Sequence, residues 1–178
     1  TDNSDERKMF YTSGQAKDIA DMFTFTDGYA VTKWSNKTSA GVSGQDGTHP
    51  DTDQPIFRLA DAYLMYAEAV LRGGTGGSRT AALGYVNELR NKAYNGTSGD
   101  INDSQLTLAF ILDERARELY WEGYRRTDLI RYGQFAGGTY IWQWKGGVQA
   151  GVATDPKYNL FPIPDADMGA NPNLDQNP

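Results

Sequence analysis

The stretch Phe57-Arg58-Leu59-Ala60-Asp61-Ala62-Tyr63-Leu64-Met65-Tyr66-Ala67-Glu68-Ala69-Val70-Leu71-Arg72-Gly73-Gly74 decides the fold. At the helical angle, Tyr63, Tyr66 and Val70 fall within roughly 40° of Leu59, while Ala60, Leu64, Ala67 and Leu71 form a second apolar stripe about 100° away. A helix with two apolar stripes touches two neighbours. Arg58, Asp61, Met65, Glu68 and Arg72 take the remaining side, where Arg58 with Asp61 and Glu68 with Arg72 stand at ion-pair spacings. Gly73-Gly74 ends the helix. Beyond the short link Thr75 to Ser78, the residues Ala82, Val86, Leu89 and Ala93 again share a face, flanked by Leu83 and Tyr85. Two helices so joined lie antiparallel, which predicts a helical hairpin of tetratricopeptide-like proportions, although the consensus of the roughly 34-residue repeat is not met.

Downstream, a polar loop from Tyr94 to Gln105 leads to a third helix, with Asp103, Ser104 or Thr107 as its N-cap. Counted from Leu108, the residues Ile111, Leu112, Arg115, Leu119 and Glu122 share one face. Two charges inside an apolar stripe each need a partner, because an unpaired buried charge is strongly destabilising. Glu114, Glu118, Arg125, Arg126, Asp128 and Arg131 lie within reach in sequence. The pattern predicts an interlocked ion-pair cluster that holds the third helix to a short fourth one, Arg125 to Tyr132, after a break at Gly123.

The flanks differ from this helical region of residues 57–132. Residues 1–56 are polar and predict ordered coil, with short extended candidates at Met22 to Phe25 and Tyr29 to Trp34 around the turn pair Asp27-Gly28. Residues 133–178 predict turns, a hairpin of Thr139 to Trp144 and Val148 to Val152 on Lys145-Gly146-Gly147, and a proline-stiffened tail through Phe161-Pro162-Ile163-Pro164. The expected class is mainly α, with the helical hairpin, further helices, long ordered loops and one small β-hairpin.

Composition narrows the chemistry. The chain has 178 residues, 39% of them hydrophobic and 12% aromatic, which is too apolar for disorder. With no Cys and one His, thiolate chemistry and His-based zinc sites are excluded. The 17 Lys and Arg against 23 Asp and Glu give a net charge of −6 without a basic stretch, which argues against nucleic acid. No apolar run approaches the roughly 20 residues of a membrane span.

Four kinds of site are conceivable. Glu114, Glu118, Glu122 and Asp128 could serve a glycosidase only as two carboxyls facing an open cleft, either about 5 to 5.5 Å or about 6.5 to 9.5 Å apart. Each has an Arg within a helical turn, which lowers a carboxyl pKa where a general acid needs it raised. Asp46, Asp51 and Asp53 are a plausible calcium cluster or simply a solvated loop, whereas Asp100, Asn102 and Ser104 lack the glycine and glutamate of an EF-hand. Gly73-Gly74 and Gly76-Gly77 follow no strand and predict no phosphate cradle, and His49 is an ordinary loop residue. Trp34, Tyr140, Trp142 and Trp144 lie outside the helical core. On a strand, Trp142 and Trp144 would share a face, either as a platform for sugar C–H faces or as a cover over the helices. No metal or cofactor is expected.

A family resemblance is carried by ordered segments. Pro55-Ile56-Phe57-Arg58 through Ala69, Val86-Asn87-Glu88-Leu89-Arg90, Ile111 to Leu119, Glu122-Gly123-Tyr124-Arg125-Arg126-Thr127-Asp128-Leu129-Ile130-Arg131, Phe161-Pro162-Ile163-Pro164 and Asn171 to Pro178 resemble successive C-terminal motifs of the SusD/RagB family, with Asp5-Glu6-Arg7 as a weaker match upstream. The resemblance implies an outer-membrane lipoprotein of Bacteroidetes, facing outward from the cell surface. Such a protein binds oligo- or polysaccharides or other nutrients and works with a TonB-dependent transporter of the SusC type. It further implies that residues 1–178 are a single C-terminal region, with the lipid anchor and N-terminal repeats upstream. The motif residues Arg58, Glu68, Arg90, Glu114, Arg115, Glu118, Glu122, Arg125, Asp128 and Arg131 are implied to serve the fold. Trp34, Tyr140, Trp142 and Trp144 remain ligand candidates from chemistry alone. The expected role is non-catalytic glycan binding; a scaffold for the transporter alone and a glycoside hydrolase are the rivals.

Overall fold

In the computed structural model, residues 4–177 are described. The hairpin is built from α1 (Leu59–Leu71) and α2 (Arg79–Tyr94). α1 stops in a Schellman arrangement: Gly73 adopts φ 87° and donates to the Val70 carbonyl at 3.0 Å, and Gly74 donates to the Ala69 carbonyl at 2.8 Å. α2 starts at Ser78, whose hydroxyl accepts the Ala81 N–H, and ends at Asn95 in a left-handed conformation. Tyr66 ties the link down by accepting the Ser78 N–H at 3.0 Å.

α3 (Leu108–Leu119) is capped by Thr107, whose hydroxyl accepts the Phe110 N–H. Before it, Asn102 forms a capping box with Gln105 around the 3-10 turn Asp103–Gln105. The stripes of α1, α2 and α3 meet in one core: Leu64, Ala67, Ala82, Val86, Ile101, Leu106, Ile111 and Leu119 are buried, with Tyr66, Val70, Leu83, Leu89 and Phe110 packed around them. The chain divides into two compact units, the first ending at Arg125 and the second starting at Arg126, so that α4 (Arg125–Arg131) begins at their border.

The mainly helical class includes a small antiparallel pair, but not where the sequence placed its hairpin. β1 (Phe10–Tyr11) pairs with β2 (Ala30–Val31), Phe10 opposite Val31. Within the extended candidate Tyr29 to Trp34 only Ala30–Val31 is a strand. Met22 to Phe25 forms turns instead, because Asp21 accepts the Phe23 N–H and Asp27 accepts those of Ala20 and Asp21.

The expected hairpin over Thr139 to Val152 is absent from the second unit. Trp144, Gly146 and Gly147 all adopt positive φ and form a 3-10 turn, Lys145–Gly147, that a ladder cannot include. Single backbone bonds hold the loop: Trp144 to Gln149 at 3.2 Å, Val152 to Lys145 at 3.1 Å and Gly137 to Thr154 at 2.7 Å. The Pro-rich tail also holds a 3-10 turn at Pro156–Asn159 and a short helix α5 (Asp165–Ala170) begun at Pro164, neither of which the sequence pattern gave.

Candidate functional site

The charged residues of α3 form a network of the first unit. Glu114 is fully buried and receives three guanidinium groups, Arg7 Nη1, Arg90 Nη1 and Arg117 Nε, each at 2.8 Å. One turn on, Glu118 is held by Arg58 at 3.0 Å and Arg7 at 3.3 Å. Glu122, just past the end of α3, meets Arg58 Nε at 2.8 Å and Lys33 Nζ at 2.5 Å. Lys33 also donates to the carbonyl oxygens of Glu118 and Tyr120, so a cation closes the negative end of α3. Arg115 pairs with Asp61 of α1 at 2.7 Å, both buried.

Glu114, Glu118 and Glu122 draw these partners from the N-terminal segment, from Arg58 at the start of α1, from α2 and from α3 itself. Arg58 and Asp61 do not pair with each other, since each reaches α3 or its C-terminal turn, whereas Glu68 and Arg72 do pair at 2.8 Å. Arg125 donates to the Leu112 carbonyl at 2.9 Å, and Asp128 and Arg131 pair along α4 at 2.9 Å.

This arrangement sets the electrostatics. Burial alone would raise the Glu114 pKa, but Arg7, with Arg117 and Arg90, outweighs it and holds the carboxyl below its ordinary value. Asp5 follows the same rule: burial pushes its pKa up, and hydrogen bonds from the Arg7 side chain and backbone bring it down further. Burial opposes the charge of Arg58, and Glu122 and Glu118 more than restore it, so its pKa rises. A carboxylate so held is a poor proton donor at neutral pH. The loop acids are likewise engaged: Asp46 accepts the N–H groups of Thr48 and His49, and Asp51 that of Gln45. Among the described residues no three His, Cys, Asp or Glu side chains are placed to hold a metal ion.

Of the four aromatic candidates, Trp142 and Trp34 each line a cleft, whereas Tyr140 and Trp144 are on the lining of neither. In the second unit, a cleft of about 550 Å³ is walled by Phe135, Trp142, Tyr158 and Phe161. Trp142 is 37% exposed, with Tyr140 tilted against it at 5.8 Å between centroids and Phe135 at 6.3 Å. Lys145 is buried beneath: its Nζ donates to the carbonyls of Gly137 and Tyr140 at 3.0 and 2.6 Å and lies 4.6 Å from the Trp142 ring centre. Arg126 is held between Phe161 and Phe135, 3.9 and 5.0 Å from their centres. Trp144 does not share a strand face with Trp142, because the left-handed backbone at Trp144 breaks the alternation on which that expectation rested.

Trp34 belongs to the first unit, in a cleft of about 460 Å³ whose other wall is Trp121. The Trp34 Nε1–H donates to the Trp121 carbonyl at 3.1 Å. The sequence pattern did not single out Trp121, which falls between the motif segments that end at Leu119 and begin at Glu122. Its signal was an indole next to the helix-breaking Glu122-Gly123 pair. A larger depression of about 650 Å³ lies over α1 and α2, but Arg7, Arg58 and Glu118 on its wall are already paired and Tyr63 is stacked on Tyr85. Arg7 and Lys33 were also missed as partners, since nothing local marks residues more than 80 positions from their carboxylates.

The SusD family model matches residues 1–178. The chain is 43% identical over 177 residues to the starch-binding protein SusD of Bacteroides thetaiotaomicron, which covers 97% of this chain and 30% of that protein. A solved SusD superfamily protein from the same species is 33% identical with a TM-score of 0.59, over 76% of this chain and 30% of that one. Surface glycan-binding protein A of Bacteroides thetaiotaomicron, solved in complex with laminarihexaose, is 27% identical with a TM-score of 0.57, over 79% of this chain and 27% of that one. The chain thus spans about 30% of the length of these relatives. Matched along its whole length by the family model, the chain belongs to the SusD family.

Proposed function

We propose that this chain is part of a cell-surface carbohydrate-binding protein of the outer membrane that captures oligo- or polysaccharides without cleaving them and passes them to a TonB-dependent transporter of the SusC type. The observation that carries this reading is the 43% identity, over 97% of the chain, to a protein named for binding starch. The structure lends chemical support. Glu114, Glu118 and Glu122 each bind two or more cations, so their carboxylate oxygens are taken up by Arg and Lys side chains. Meanwhile Trp142, Phe135, Tyr158 and Phe161 wall a cleft, and Trp34 with Trp121 walls another. Sugars bind such walls through their C–H faces, while hydroxyls find polar groups at the rim. Trp34, Tyr140, Trp142 and Trp144 are proposed ligand neighbours, and Arg58, Glu114, Arg115, Glu118, Glu122, Arg125, Asp128 and Arg131 the scaffold.

Affinity electrophoresis of the intact protein across a glycan panel tests the proposal. Retardation that weakens in Trp142→Ala or Trp144→Ala is the expected result. No retardation on any glycan would overturn glycan binding and leave a transporter scaffold. Release of reducing ends, abolished by Glu118→Gln in a folded protein, would make it an enzyme.

A further inference from the structure

Every side chain that lines the Trp34–Trp121 cleft is uncharged, in a chain of net charge −6. Trp121 is 69% exposed and sits at φ 59°, a conformation that bulky residues rarely adopt. Backbone strain of this kind gathers where a side chain has to be presented in a particular direction. The two indoles are also clamped. Lys33, next to Trp34, and Glu122, next to Trp121, form the buried ion pair described above, and the Trp34 Nε1–H bond to the Trp121 carbonyl fixes the same two segments from the cleft side. The charge network therefore sets the spacing of the aromatic walls.

The rim is similarly organised. Asn36 is tied into its own loop, donating to the Asp46 carbonyl at 2.8 Å and accepting the Asp51 N–H at 2.9 Å, and Thr52 donates to the Ser35 carbonyl at 3.1 Å. The exposed Gln54 makes no hydrogen bond to another described residue, so its amide offers a donor and an acceptor to the cleft. At about 460 Å³ the space falls within the roughly 300–1,000 Å³ of small-molecule sites.

We propose that this cleft is a subsite for an uncharged sugar residue, with Trp121 as stacking platform, Gln54 as hydroxyl partner and the Lys33–Glu122 pair as the clamp that positions the platform. An acidic sugar would lose hydration here and find no cation on the lining, whereas a neutral hexose presents a C–H face to the indole and hydroxyls to the amide. This rests on the glycan-binding reading, and the experiment separates the two.

The intact protein and its Trp121→Gly, Trp121→Phe and Gln54→Ala variants are run in gels that contain soluble starch, laminarin or polygalacturonate. Glycine suits the left-handed backbone, so Trp121→Gly removes the indole without adding strain. The expected result is retardation of the parent protein by a neutral glucan, weakened about tenfold in Trp121→Gly, as for about 1.4 kcal/mol of lost stacking. Trp121→Phe restores most of it and Gln54→Ala loses a smaller part. Glycan-induced change in tryptophan fluorescence should shrink in Trp121→Gly at an unchanged melting temperature. Unaltered neutral-glucan binding in Trp121→Gly overturns the subsite and leaves the glycan-binding reading standing. If Trp121→Gly abolishes retardation by polygalacturonate alone, the uncharged class is wrong. If the parent protein is retarded by none of the three, the subsite falls; if it also binds nothing in the wider panel, so does glycan binding.

Discussion

The two compact units handle buried cations in different ways. In the first, guanidinium groups from three other segments, at Arg7, Arg58 and Arg90, converge on carboxylates of α3 and the turn after it, and Arg115 of α3 reaches Asp61 of α1. In the second, Asp128 and Arg131 pair locally, but Lys145 is buried against two carbonyl oxygens and the Trp142 face, and Arg126 lies between two phenylalanine rings. Ion pairs fix the register between distant segments, because each charge stranded by a slip would be desolvated without compensation. Carbonyl and ring contacts fix a loop to itself. The first unit is thus a rigid frame, and the second a wall shaped by its own backbone.

The strongest way to break the comparison is Glu114→Ala, which removes the buried carboxylate shared by Arg7, Arg90 and Arg117; a loss of about 3 to 5 kcal/mol is expected in urea melts, with Arg115→Ala and Glu122→Ala in the same range. A loss under about 1 kcal/mol would place these charges in solvent. The same network predicts a pH dependence. Glu114 and Asp5 have folded pKa values below their ordinary 4.5 and 3.8, so the unfolded chain binds more protons as pH falls. Their contribution to stability is complete above the ordinary values and lost as pH drops through the depressed ones. Melts from pH 6 downward should show this acid loss, and Glu114→Gln should flatten it; an identical slope in the variant would count against the assignment.

Effects in the second unit should be smaller and local. Lys145→Met removes the donor to two carbonyls, and a loss of about 1 to 3 kcal/mol is expected, read by melts and by Trp142 fluorescence. Gly151→Ala puts a methyl carbon 2.2 Å from the Trp142 carbonyl oxygen at φ 74°, so about 1 to 3 kcal/mol of strain should appear, with weaker glycan retardation. A silent Gly151→Ala would show that this loop is freer than its contacts indicate. Smallest of all, Trp121→Gly should change stability by no more than about 0.5 kcal/mol, because the exposed indole buries little and its strain is relieved.

Much of the frame was legible in the sequence. The stripes of Leu64, Ala67 and Val86, the Gly73-Gly74 stop, the Thr107 cap and the break around Gly123 all depend on neighbours within a turn or two, where helical geometry is a sufficient guide. The strand expected around Trp142 failed for a local reason with a distant supplement: positive φ at three residues in a row of four, and a lysine that turns inward to bind carbonyls. Alternation of side chains offered no sign of either.

The sequence by itself determined the helical hairpin, the presence of charges that had to be paired inside an apolar stripe, and the family to which the motifs belong. Only the tertiary structure decided the partners: Arg7 and Lys33 for α3 and its turn, Asp61 for Arg115, and Trp121 for Trp34. The physical reason is range. Helix periodicity and caps act over a few residues, whereas a buried charge demands a counter-charge without specifying where along the chain it comes from, and packing alone makes that choice.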